Sequence, residues 1–283
     1  MLLLTLLLTR GVAMGFAAGE DGETAPEEPA GPVYQDIRIY ADGLLIVRGY
    51  ESEGVSYIPL DRFCAYLDRP LTVSWDEESG LLSLSAYGLT LEASAAEEYF
   101  TVNGRYVYDP VGFRMIEGQP CFPAEAAAYV FHMDAQPGED GESLYLDLSG
   151  MEILSGSVTY YSDAYGSDNI FWLSRVIYSE AGHQSMAGRI GVGNVVLNRV
   201  ESDRFPNNIH DVIFDPGQFE PVYDGHIYRE PNEASVAAAC LCLDGWNTAG
   251  NSLFFIDPRY ADDSWLQSSR RFVATLGLHD FYA

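Results

Sequence analysis

The chain has 283 residues, 47% of them hydrophobic, and carries 15 arginines, no lysine and 42 acidic residues, for a formal net charge of −27. That length suits two modest domains, each able to bury a core. The acidity excludes nucleic acid and anionic lipid as natural partners, because neither half of the sequence offers a basic patch. Residues 170–283 hold 14 acids and 8 Arg, against 28 acids and 7 Arg before them, so the charge belongs mainly to the front.

Met1 to Ala17 reads as a secretory signal: Leu2 to Leu8 is nearly all leucine, and Gly15-Phe16-Ala17 offers small residues for cleavage. Arg10 interrupts the apolar run, so no stable membrane span is expected once the signal is removed. Residues 18–35 are Glu, Pro, Gly and Ala with little to bury, a disordered tether. Residues 36–149 contain an internal repeat, in which 57–85 lies over 121–149 without a gap at an offset of 64. Each copy predicts a strand ending at a proline (Pro59, Pro123), a helix, an acidic turn and a second strand. This pattern resembles the copper amine oxidase N-terminal-like domain, which implies a two-repeat α+β module used for wall targeting or as a spacer. The name implies no copper, since His132 is the only histidine there. The turns Asp76-Glu77-Glu78 and Glu139-Asp140 read as solvated corners rather than calcium ligands. Cys64 and Cys121 are placed to bridge the two copies or to remain thiols; the sequence leaves both open.

Residues 150–169, rich in Ser, Tyr, Asp and Gly, read as a linker that delivers Asp168 or Asn169 as a helix N-cap. In Phe171 to Gly182, apolar Leu173, Val176 and Ile177 share one helix face, and Glu180 falls on the same stripe at the last turn. A desolvated carboxyl keeps its proton toward neutral pH, as a general acid requires; the alternative is a terminal glutamate turned to solvent. A second helix is expected over Met186–Arg199, with Asn194 as a buried amide that orients its neighbours and Asn198 able to do the same. Glycines 188, 191 and 193 predict close helix packing rather than a dinucleotide fingerprint. A short helix then ends at Asp215-Pro216-Gly217-Gln218-Phe219, a tight turn that would aim Gln218 and Phe219 outward. Glu233–Leu243 reads as a helix and Ser252–Ile256 as a strand, with Trp265, Phe272 and Phe281 mostly core. Cys240 and Cys242 point to different helix faces and read as small apolar core residues.

Three stretches, YSEAGHQSMAGRIGVGNVVLNRV, RFPNNIHDVIFDPGQFEPV and FVATLGLHDFYA, together resemble the catalytic domain of the SleB/CwlJ cell-wall hydrolases, the spore-cortex-lytic family. The resemblance runs from about Phe171 to Ala283 and implies a lysozyme-like transglycosylase fold with Glu180 as the single catalytic acid. In that family the segment holding Gln218 and Phe219 lines the glycan cleft, which makes Gln218 a contact to an N-acetyl sugar or else an ordinary turn residue; Phe219, Asn194 and Asn198 complete the candidate substrate-binding residues. Many members read E-A-R-G-E where this chain reads Glu180-Ala181-Gly182-His183-Gln184, so roles of the missing arginine and second glutamate do not carry over. The expected fold class is α+β in two domains: the two-repeat module (36–149) and a mainly helical lysozyme/transglycosylase-like catalytic domain (170–283). The expected function is an exported enzyme that cleaves the β-1,4 bond after muramic acid or muramic lactam in peptidoglycan, acting outside the cell on wall or spore cortex. No metal or cofactor is required for that chemistry. Two alternatives stay open: a zinc amidase, for which Glu180-x-x-His183 has ligand-like spacing, and a wall-binding protein without activity.

Overall fold

The structure is a computed structural model that describes residues 32–68, 72–86, 88–154, 160–260 and 264–283. The signal segment and nearly all of the tether lie outside the described residues. Alternation builds the first strand, β1 (Gln35–Ala41), which turns Ile37, Ile39 and Ala41 inward and Asp36 and Arg38 outward. Then follow β2 (Leu44–Ser52), β3 (Val55–Pro59), α1 (Leu60–Tyr66), β4 (Thr72–Asp76), β5 (Leu81–Ala86), β6 (Leu89–Ser94), β7 (Tyr99–Val102) and β8 (Arg105–Tyr108). The front half ends with β9 (Arg114–Ile116), β10 (Gln119–Pro123), α2 (Ala124–Phe131), β11 (Asp134–Pro137) and β12 (Ser143–Asp147). Four of its hairpins close through two residues that both take positive φ: Asp42-Gly43, Glu53-Gly54, Asn103-Gly104 and Glu117-Gly118. That backbone matches the right-handed strand twist, and it is why glycine stands second in each pair.

Each copy of the sequence repeat contains a strand, a helix and two further strands in that order: β3-α1-β4-β5 and β10-α2-β11-β12. The copies meet through β3 and β10, which pair antiparallel with Ile58 opposite Phe122. Their later strands go to different sheets. One sheet has the order β11-β12-β1-β2-β3-β10-β9, whereas β4 to β8 form an antiparallel meander. Phe63, Phe122 and Phe131 fill the core between them. None of the four cysteines, Cys64, Cys121, Cys240 and Cys242, is in a disulfide, and all are buried.

The rear half contains α3 (Tyr160–Tyr165), α4 (Ser167–Ala181), α5 (Met186–Val200), α6 (Ile209–Phe214), α7 (Pro221–Asp224), a 3₁₀ turn at His226–Tyr228 and α8 (Glu233–Leu243). A small sheet follows, β13 (Phe254–Ile256), β14 (Phe272–Leu276) and β15 (His279–Tyr282), with α9 (Ser264–Ser269) between its strands. Glycines let α5 approach its neighbours: a Cβ at Gly193 would lie 2.6 Å from Cys242 Sγ on α8, and one at Gly191 would lie 2.8 Å from Phe281 Cζ. The aromatic assignment changes: Phe281 is core, but Trp265 on α9 and Phe272 on the edge strand β14 are 58% and 51% exposed.

Two findings differ from the expected linker over 150–169. Helix α4 starts at Ser167 behind Gly166, ahead of the expected caps, and α3 packs as a structural element with Tyr161 buried. The hydroxyls of Tyr165, Tyr161 and Tyr160 reach the Asp244 carboxylate at 2.7, 3.0 and 3.4 Å, and Arg105 on β8 pairs with it at 3.2 Å. Tyr34 to Ala283 accordingly form one compact unit, with separate cores in its front and rear halves.

Candidate active site

Helix α4 does what its pattern predicts. Leu173, Val176 and Ile177 are fully buried against α5 and α8, and the stripe they define ends at Glu180, half-buried at the open end. The helix stops there because Gly182 closes the last turn on the Tyr178 carbonyl, and Ser185 caps α5 by accepting from Gly188 N. The loop between these two helices therefore forms one wall of a cavity of about 350 Å³. Glu180, His183 and Gln184 line it, together with His226 and Arg229 after α7, Asp257 and Arg259 after β13, and His279 on β15.

Burial pushes the Glu180 carboxyl up to about 7, reinforced by the negative charges of Glu220 and Asp224 and opposed by Arg199. No hydrogen bond among the described residues engages that carboxyl. Arg199 is itself buried among the rings of Phe205, Phe219 and Phe254 and donates from Nε to Leu253 O at 2.9 Å. Burial brings its pKa down to about 10, while Asp215 and Glu180 pull it the other way, and its Nη1 has no hydrogen-bond partner among the described residues. Glu180 thus faces an open cavity in a state that both gives and accepts a proton near neutrality, which suits a general acid that later turns base.

Gln184 ties the α4–α5 loop to the next part of the lining. Its Oε1 accepts from Leu278 N at 2.9 Å, and its Nε2 lies 3.2 Å from His279 Nδ1, tying the loop after α4 to the β14–β15 turn. A neutral amide can accept from Leu278 N and donate to an unprotonated His279 Nδ1 at once, whereas a carboxylate would need a proton on that ring nitrogen.

The candidate substrate-binding residues separate. Asn194 is 3% exposed; its Nδ2 donates to Trp246 O and its Oδ1 accepts from Thr248 N, so it braces a loop and is sealed from the cavity. Asn198 Nδ2 donates to Gly250 O and Ser252 O, each at 2.9 Å, and does similar work. Phe219, at 2% exposure under Arg199, has no face for a sugar, because its ring fills the core behind the turn. Gln218 is half-buried in that turn and does not line the Glu180 cavity. Sequence reading missed Arg229, Asp257, Arg259 and His279 as lining residues, since each reaches the cavity from a loop or strand far along the chain.

Residues 183–282 match the protein family described as Cell Wall Hydrolase, a range that begins three residues after Glu180. The spore cortex-lytic enzyme of Bacillus cereus is 34% identical over 123 residues, 44% of this chain and 47% of that protein. Those of Oceanobacillus iheyensis and Bacillus subtilis (strain 168) are 33% and 32% identical over 117 residues, 41% of this chain and 42% and 38% of theirs. The chain thus spans less than half the length of these relatives. Among solved structures, the catalytic domain of germination-specific lytic transglycosylase SleB from Bacillus anthracis matches 43% of this chain and 98% of its own. Its identity to this chain is 34% and its TM-score 0.40. The catalytic domain of the Bacillus cereus SleB protein gives the same identity and TM-score over 94% of its length.

Proposed function

We propose that this chain degrades peptidoglycan outside the cell, cutting the β-1,4 glycosidic bond after a muramyl residue with Glu180 as the acid and base. The observation that carries the reading is a half-buried carboxyl, raised to about 7, that faces an open cavity at the end of its helix. Similarity of residues 183–282 to cell-wall hydrolases supports the substrate class. In the first step Glu180 gives its proton to the glycosidic oxygen, and the C1–O bond breaks. In the second, the muramyl C6 hydroxyl attacks C1 and passes its proton to the Glu180 carboxylate. No water is consumed, and a 1,6-anhydro end results.

A second reading, hydrolysis, draws on Glu220 and Asp224, whose charges reach Glu180; either would activate a water if the geometry of the bound sugar admits one. A zinc amidase has less support, because no three His, Cys, Asp or Glu groups among the described residues come together as a ligand set.

Glu180→Gln keeps the shape and removes the proton, so turnover of purified glycan should fall by roughly 10²–10⁴-fold. Mass spectrometry of the wild-type digest should show anhydromuramyl fragments one water lighter than hydrolysis products. Reducing muramyl ends carrying solvent ¹⁸O would replace transglycosylation with hydrolysis. Full activity in Glu180→Gln would remove Glu180 from the mechanism.

A further inference from the structure

Gln184 and His279 share a hydrogen bond in the lining of the Glu180 cavity, and its direction is fixed by chemistry. The Leu278 N–H can only donate, so the Gln184 atom 2.9 Å from it is the amide oxygen. The amide nitrogen then faces His279 Nδ1 at 3.2 Å with protons and no lone pair to offer, so Nδ1 accepts. Burial holds the pKa of this ring below the ordinary histidine value; Asp257 and Asp280 oppose that, and Arg259 adds to it. A neutral imidazole that accepts at Nδ1 carries its proton on Nε2. One tautomer is therefore locked before any ligand arrives.

The rest of the ring is enclosed. His279 is 6% exposed, with the rings of Phe255 and Phe281 at 4.9 and 6.2 Å between centroids. Nε2 has no hydrogen-bond partner among the described residues, yet it is not one of their buried unpartnered atoms, so this nitrogen keeps open surface. That surface meets the Glu180 cavity, which His279 lines. A sugar that displaces water from this nitrogen and offers no acceptor leaves it unpaired. Every ring of the proposed substrate carries a nitrogen at C2, acylated as an acetamide or closed as a lactam, and both forms present an amide carbonyl. A ring whose C2 amide has been hydrolysed presents an ammonium at neutral pH, which has only donors. We propose that His279 is a specificity residue whose Nε2–H, oriented by Gln184, donates to the C2 amide carbonyl of the sugar in the Glu180 cavity. The contact admits acetamide and lactam alike and rejects rings with a free amine. It deepens the glycosidase reading and rests on it.

The first readout is the ring itself. Nitrogen-15 NMR of the histidine-labelled full chain, with His279 assigned by its loss in His279→Phe, should show Nε2 protonated and Nδ1 bare at neutral pH. A proton on Nδ1 overturns the proposal. The second readout is kcat/KM on soluble cortex glycan and on the same glycan with its C2 amides hydrolysed to amines. Wild type should favour the amide form on the order of tenfold, the scale of one hydrogen bond from an otherwise unpaired donor. Gln184→Glu still accepts from Leu278 N, but its carboxylate also accepts from the ring, which draws the proton to Nδ1 and turns Nε2 into an acceptor. At a pH where NMR shows that variant's ring neutral, the preference should fall by about the same factor. His279→Phe keeps a ring against Phe255 without the donor and should lose it too, which preserves the test if Gln184→Glu does not fold. No preference in wild type, or a preference that survives in either folded variant, overturns the contact. If wild type cuts neither glycan, the glycosidase reading itself is defeated and the contact falls with it.

Discussion

Glu180 titrates under two influences that mutation can separate. Burial is the larger, and the repulsion of Glu220 and Asp224 adds to it. Glu220 is exposed, so Glu220→Gln removes one negative charge without disturbing packing. The Glu180 pKa should then drop from about 7 toward, but not reach, the ordinary glutamate range. A general acid works only while protonated, so the alkaline limb of the kcat/KM profile on soluble glycan should move to lower pH. A limb that stays in place would show that some other group sets it. Stability follows the same proton with a defined sign. The folded chain holds it to about pH 7 and the unfolded chain only to about 4.5, so this group's contribution falls as pH rises between those values. Glu180→Gln should therefore melt higher than wild type at pH 8, and the difference should vanish toward pH 4.5.

At the scale of elements, the helices of the rear half were legible because their stripes and caps are local. Glu233–Leu243 matches its predicted range, Met186–Val200 exceeds its own by one residue, and Glu180 was placed on the buried stripe from spacing alone. What spacing does not carry is which distant segments converge. Arg229, Arg259 and His279 reach the cavity through the packing of three separate loops and strands, and Phe219 was misplaced because a Pro-Gly turn says where the chain bends and not which side is core. The α5 glycines lie between these cases: close packing was readable, but the partner was not. That contact gives a test, since a methyl at Gly193 would sit 2.6 Å from Cys242 Sγ and 3.0 Å from Ile177 Cδ1. Overpacking of this kind costs ~1–3 kcal/mol, partly offset by the better helix propensity of alanine. Gly193→Ala should lower the melting temperature by a few degrees, and Cys242→Ala added to it should recover part of that loss. Additive effects in this double-mutant cycle would mean that the helices part without strain.

At the scale of the molecule, the sequence divides more cleanly than the structure does. A linker over 150–169 implies a catalytic half that works alone, yet its helices lean on the front half at several points. Glu98, just ahead of β7, accepts from Met186 N at 2.6 Å and so caps α5 beside the loop that carries His183 and Gln184. Asp244, whose side chain is fully buried, gathers Arg105 from β8 and the hydroxyls of Tyr160, Tyr161 and Tyr165 from α3. Burial pushes the Tyr161 and Tyr165 hydroxyls well up, so both remain donors at any working pH. Removing one partner of a buried ion pair leaves the other uncompensated at a cost of roughly 3 kcal/mol or more, which in a unit of this size is about 10 °C. Asp244→Ala should show that loss by calorimetry as one transition for the whole of Tyr34–Ala283. A fragment of residues 155–283 should fare worse, because it keeps Asp244 but loses Arg105, the Glu98 cap and Tyr99, which is buried in the rear core. Its expected state is a destabilised or partly unfolded one, with turnover of soluble glycan well below that of the full chain. A fragment that melts like the intact protein and cuts glycan as fast would show instead that the front half only rests on the catalytic one.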